Sequence, residues 1–170
     1  MAEVAQQVLP EASKGADKLI VFISYSRSEV AFADRLVAAL EVRGFKCLID
    51  RRDLEYGEKW QSVLRDFILQ ADTVVYVVSP RSISSQWCRW EIAEVAKLAK
   101  RLVPIVVEHT PLELLPPEIG SVHLMPFGAD VAFDRQVAAL ETVLMTDRTW
   151  VQEHTRLSSI ALKWHTGERK

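Results

Sequence analysis

The chain of 170 residues is 49% hydrophobic and 26% charged, with six glycines and seven prolines, the composition of one globular domain or one domain plus an extension. Its 21 basic residues against 23 acidic ones leave a net charge of -2 without a run of five like charges, which disfavours a phosphate-backbone partner. Apolar runs are strand-sized, far short of the roughly 18 residues of a membrane span, and the start has no basic stretch followed by an apolar one; a cytoplasmic protein engaging neither nucleic acid nor membrane is expected.

Residues 1–17 are polar and Ala-rich without a sustained period and read as a flexible leader. Leu19 to Ser24 then reads as a buried strand. Ala33, Leu36, Val37 and Leu40 follow at i, i+3, i+4, i+7 as one helix face, with a capping box at Ser26 and Glu29 and a stop at Gly44. A second strand, Phe45 to Ile49, runs into the polar stretch 50–59, after which Trp60, Val63, Leu64, Phe67 and Ile68 have helical spacing. A third strand covers 73–79. The segment 84–101 puts Cys88, Ile92, Val95, Ala96 and Ala99 on one stripe, serines at its start and basic residues at its end, as a helix dipole favours. A fourth strand, Leu102 to Val107, carries Pro104 and is expected near a strand start or at an edge. A short fifth strand at Val122 to Met125 and a helix at about 131–145, with Phe133, Val137, Leu140 and Leu144 inward, complete the pattern. Strands alternating with helices imply parallel βαβ units and a flavodoxin-like α/β sandwich of five strands with helices on both faces.

Beyond it, Trp150, His154, Leu157, Ala161 and Trp164 recur at steps of four and three, which predicts an extra C-terminal amphipathic helix over 148–165. It is either a packed sixth helix or the start of a regulatory region that continues beyond the C-terminus. The expected division is therefore a leader at 1–17, a domain at 18–146, and a helix with tail at 147–170. Cys47 and Cys88, 41 positions apart within apolar patterns, read as core thiols.

Ligands of open parallel sheets collect beyond the carboxyl ends of the strands, here Tyr25 to Ser28, Asp50 to Lys59 and Ser79 to Glu91. No GxGxxG or P-loop stands there, nor the acidic cluster and strand-ending Asp of a phospho-acceptor domain, nor a GxSxG elbow, and the four histidines have no metal-ligand spacing. What remains is Glu91, on the shoulder of the apolar stripe of the 84–101 helix, with Trp87 one turn earlier. A half-buried glutamate beside an indole can act on a ligand from low dielectric. The same spacing also describes a solvated helix glutamate beside a rim tryptophan.

Taken together, Phe22-Ile23-Ser24-Tyr25-Ser26, Ile49-Asp50 with Leu54-Glu55-Tyr56-Gly57, Val78-Ser79-Pro80, Ser85-Gln86-Trp87-Cys88-Arg89-Trp90-Glu91 and Val103-Pro104-Ile105 resemble, in order, the successive boxes of a TIR (Toll/interleukin-1 receptor) domain. The F-I-S-Y-S and W-C-x-x-E details are more similar to the bacterial and plant-like branch than to animal receptor adaptors, and resemble TIR-domain NAD+ hydrolases. The resemblance implies cleavage of NAD+ to nicotinamide and ADP-ribose or a cyclic isomer, activated by self-association, in a bacterial defence or signalling role. Glu91 matches the catalytic glutamate of the WxxxE box, and Trp87 its aromatic. Arg27 matches a basic residue near the cleft, with Ser24, Tyr25 and Ser79 as further substrate-binding residues. The loop containing Asp50, Arg51, Leu54, Tyr56 and Gly57 matches the BB loop, implying homo-oligomerisation with other TIR domains. NAD+ is the substrate, and no metal or additional cofactor is called for. The alternative is a non-enzymatic TIR scaffold that signals by TIR–TIR interaction.

Overall fold

A computed structural model of the chain describes residues 17–50, 60–129 and 131–165. Five strands, β1 (Ile20–Ser24), β2 (Lys46–Ile49), β3 (Thr73–Val78), β4 (Arg101–Val106) and β5 (Met125–Pro126), form one parallel sheet in the order β2-β1-β3-β4-β5. This is the doubly wound order in which the chain reverses direction beside β1 and β3. The helices are α1 (Val30–Val42), α2 (Trp60–Gln70), α3 (Pro80–Ser84), α4 (Gln86–Lys97), α5 (Phe133–Met145) and α6 (Arg148–His165), so the flavodoxin-like expectation holds. Among these residues no helix is long and apolar enough to cross a membrane.

Strand alternation sorts the core into two faces. Val21, Ile23, Val75, Val77, Val103 and Ile105 pack with Leu36, Leu40, Val137, Leu140 and Leu144 of α1 and α5. Phe22 and Val74 pack with Leu64 and Ile68 of α2 and Val95 of α4, while Tyr76 and Val78 meet Cys88 and Ile92. Gly44 stops α1 at φ 91, a conformation strained for any residue with a Cβ. Cys47 and Cys88 are free thiols, each pushed up to about 12 by burial, which disfavours the thiolate.

Three local expectations change. The 84–101 helix is two pieces: Ser79 caps α3, and Ser85 then caps α4 by accepting from the Cys88 N–H at 3.3 Å. α4 stops at Lys97, and Ala99 turns the chain at φ 50, so Ala96 and Ala99 are exposed rather than part of the buried stripe. The fifth strand is Met125–Pro126, shorter and later than 122–125, and pairs only with Ile105 and Val106. Beside Pro104, β4 consequently has one neighbour, β3, and behaves locally as the edge that its proline requires. The third change concerns α6. It packs through Val151 and Thr155, leaving the tryptophan stripe outward.

The anchor of α6 is a buried cation. Lys100 Nζ donates to Leu69 O at 2.9 Å, Ala71 O at 3.0 Å and Thr155 Oγ1 at 3.4 Å, and burial lowers its pKa to about 8. Arg148 and Gln152 add bonds to Asp17 O at 2.7 and 3.0 Å. Lys100→Met should leave the Leu69 carbonyl without its donor and loosen α6. The expected loss is about 1–3 kcal/mol in urea unfolding, with amide exchange accelerated in α6 before the sheet.

Candidate functional site

The site lies beyond the carboxyl ends of β1 and β3. Ser24, the last residue of β1, is fully buried on the same sheet face as Phe22 and Tyr76. The capped start of α4 and the burial of Cys88, Ile92 and Val95 turn Glu91 inward toward it, and the Ser24 hydroxyl donates to Glu91 Oε2. Glu91 is only 6% exposed. Burial pushes its pKa up to about 8; the Ser24 bond opposes that rise and the charge of nearby Asp50 adds to it. The carboxyl is thus held largely neutral at neutral pH, in a place where a bound cation would draw it into its charged form.

A cleft of about 50 Å³ opens over this carboxyl, lined by Ile23, Tyr25, Arg27, Asp50, Leu64, Ser85, Trp87 and Glu91. The structure therefore brings Tyr25, Arg27, Asp50, Trp87 and Glu91 into one wall, with Ser24 bonded behind them. Tyr25 is oriented by its hydroxyl, which donates to Asp50 O at 2.8 Å and ties the end of β1 to the end of β2. Ser79 is not in the cleft lining. It is fully buried, caps α3, and its hydroxyl donates to Glu29 Oε1. Arg51, Leu54, Tyr56 and Gly57 lie outside the described residues.

Two features of the site arise only from contacts between distant segments. Trp60, the first residue of α2, packs edge-on against Trp87 with ring centroids 3.9 Å apart, and meets Trp90 at 5.1 Å. Trp87 therefore leans on a tryptophan from another element, a pairing that helical periodicity within either helix could not reveal. Glu29 is more than a helix cap. It accepts the Ser26 N–H at 3.3 Å as well as the Ser79 hydroxyl, so it joins the β1–α1 and β3–α3 connections, and burial raises its pKa. An acidic residue after a strand-end serine was the available signal.

Chemically, the arrangement offers a single buried carboxyl with a hydroxyl donor, an arginine at the rim and an indole wall. Such a set suits electrostatic stabilisation of a developing cation, and Arg27 is the cationic side chain of the lining.

The chain resembles proteins of animals and of prokaryotes. The "Stimulator of interferon genes protein" of Magallana gigas is 30% identical over 104 residues, 58% of this chain and 25% of the relative, so the chain spans a quarter of that relative's length. A metazoan TIR-STING receptor from C. gigas, solved in complex with 2',3'-cGAMP, superposes with a TM-score of 0.57 at 25% identity, covering 70% of this chain and 38% of the receptor. A prokaryotic SEFIR domain shares the fold, with a TM-score of 0.60 at 20% identity over 76% of this chain and 94% of that one. The TIR domain family profile matches residues 21–144, from within β1 to the end of α5, and encloses every cleft residue described above. This chain therefore belongs to the TIR domain family.

Proposed function

We propose that this TIR domain cleaves the N-glycosyl bond of NAD+, releasing nicotinamide and either ADP-ribose or a cyclic isomer. The supporting observation is the burial of Glu91 against Ser24 at the floor of a cleft flanked by Trp87. Nicotinamide leaves as a neutral pyridine, so its departure needs no proton donor, unlike an ordinary glycoside. One carboxylate suffices: it holds the ribose hydroxyls and offsets the positive charge that grows on the ribosyl carbon as the bond stretches. Approach of the pyridinium favours the anionic form of Glu91, so the substrate itself charges the group that acts on it. Water, or a nucleophile within the substrate, captures the cation. Arg27, in the lining of the cleft, would hold a phosphate oxygen. Assembly with other TIR domains through the 50–60 segment, within a signalling protein, is the expected trigger. Incubation with NAD+ and chromatography of the products tests the reading, and absence of nicotinamide release from assembled protein would end it.

One observation favours a scaffold that signals through TIR–TIR contact: a cleft of about 50 Å³ is well below the roughly 300 Å³ at which small-molecule pockets begin. Binding of NAD+ would call for a wider cleft, of which Trp87 forms one wall. Trp87→Ala should then raise KM for NAD+ several-fold and alter the linear-to-cyclic product ratio, because the indole governs which nucleophile reaches the cation. Trp60→Ala should produce a weaker version of the same change. If Trp87 is a rim hydrophobe alone, stability falls by about 1–3 kcal/mol and the product ratio stays constant. Product ratios compared at equal folded fraction decide between these outcomes.

A further inference from the structure

We propose that the outward face of α6 is a self-association surface on which a second copy of this chain docks, helix against helix, about a two-fold axis at Leu157. α6 is held to the domain from one side by Val151, Thr155 and Gln152. Its other side carries Trp150, His154, Leu157, Ala161 and Trp164 at steps of four, three, four and three. That spacing is the seam of a helix pair, whose occupant must be another helix with matching knobs. The seam is also self-complementary. Trp150 and Trp164 lie seven positions on either side of Leu157, so an antiparallel second copy sets Leu157 on Leu157, places each Trp150 beside the other copy's Trp164, and lets the larger His154 face the small Ala161. An isologous pair of this kind is closed and stops at two copies.

The area is sufficient. With Trp150 64%, Trp164 67%, Leu157 52% and Ile160 40% exposed, the face offers on the order of 500 Å² of apolar surface per copy, so a pair buries on the order of 1,000 Å², the size at which specific interfaces begin. Charge does not oppose the contact: Glu153 and Arg156 at the flank neutralise each other within the helix. α6 follows the family-matched segment and packs against α2 and the Lys100 turn, away from the Glu91 cleft, so this contact is separate from the 50–60 segment and does not depend on the reaction proposed above.

The test is sedimentation of the 170-residue chain over a wide concentration range, beside three variants. The expected result is a dimer for the wild type and for Val42→Glu, a charge added at an exposed site elsewhere. Leu157→Glu should weaken dimerisation by roughly a hundredfold or more, because it opposes two like charges on the axis, with its circular dichroism and melting temperature retained. Leu157→Cys should form a covalent dimer under mild oxidation. A wild type that stays monomeric overturns the proposal, as does a dimer that survives Leu157→Glu without cross-linking through Cys at 157. Removal of residues 1–16 that converts a monomeric chain to a dimer would assign this face to the chain's own N-terminal segment and equally overturn it.

Discussion

Glu91→Gln should abolish NAD+ cleavage, with turnover down by about 100-fold or more, which corresponds to about 3 kcal/mol of lost transition-state stabilisation. The amide has nearly the same shape and still accepts from the Ser24 hydroxyl, so what the substitution removes is the charge that would face the ribosyl cation. The fold should not suffer. Glu91 has its pKa raised from 4.5 to about 8 by burial, so between those values the native state keeps a proton that the unfolded chain has released. Stability associated with this group is therefore full below about pH 4.5 and is lost as pH rises through 8. Glutamine has no proton to lose, and the variant should melt at the wild-type temperature at low pH and at the same or a higher temperature above pH 8. Chromatographic turnover assays and thermal melts of the same samples check both parts. Near wild-type turnover from a folded variant would show that cleavage does not depend on the charge of Glu91, whereas a wild type without turnover would leave the scaffold reading as the better one.

On the proposed reaction, the wild-type protein should show kcat/KM rising about tenfold for each pH unit below roughly 8 and levelling above it, since kcat/KM follows ionisation of the unliganded protein. A solvated glutamate would be ionised across the whole neutral range and would produce a flat profile, so the slope separates a buried catalytic carboxyl from an exposed one. Ser24→Ala sharpens the test. Its hydroxyl is the group that lowers the Glu91 pKa, and its loss should move the midpoint upward while leaving Trp87 and Arg27 in place. Initial rates at low NAD+ concentration, measured for both proteins across this range, give the two midpoints. A wild-type profile without a slope below pH 8 would remove Glu91 from the role assigned to it here.

Amino-acid order alone determined the sheet and most of its helices. Continuous apolar runs in β1 and β3, the capping serines, and Gly44 are local features whose consequences stay local, and the position of Glu91 four residues after Trp87 follows from one stretch of chain. Tertiary packing decided how deep that glutamate lies. Placed on the shoulder of a stripe with Ala96 and Ala99, Glu91 is half-buried; once α4 ends at Lys97 and sits against both β1 and α2, the buried side rotates to Cys88, Glu91, Ile92, Glu94 and Val95. Only contacts between distant segments could show that Ser24 reaches Glu91 across 67 positions, that Trp60 supports Trp87, or that Ser79 belongs to Glu29 and not to the cleft. The same holds for α6. Its periodicity predicts a helix with an apolar side, but the contacts of Val151, Gln152 and Thr155 with the domain decide which side is turned inward.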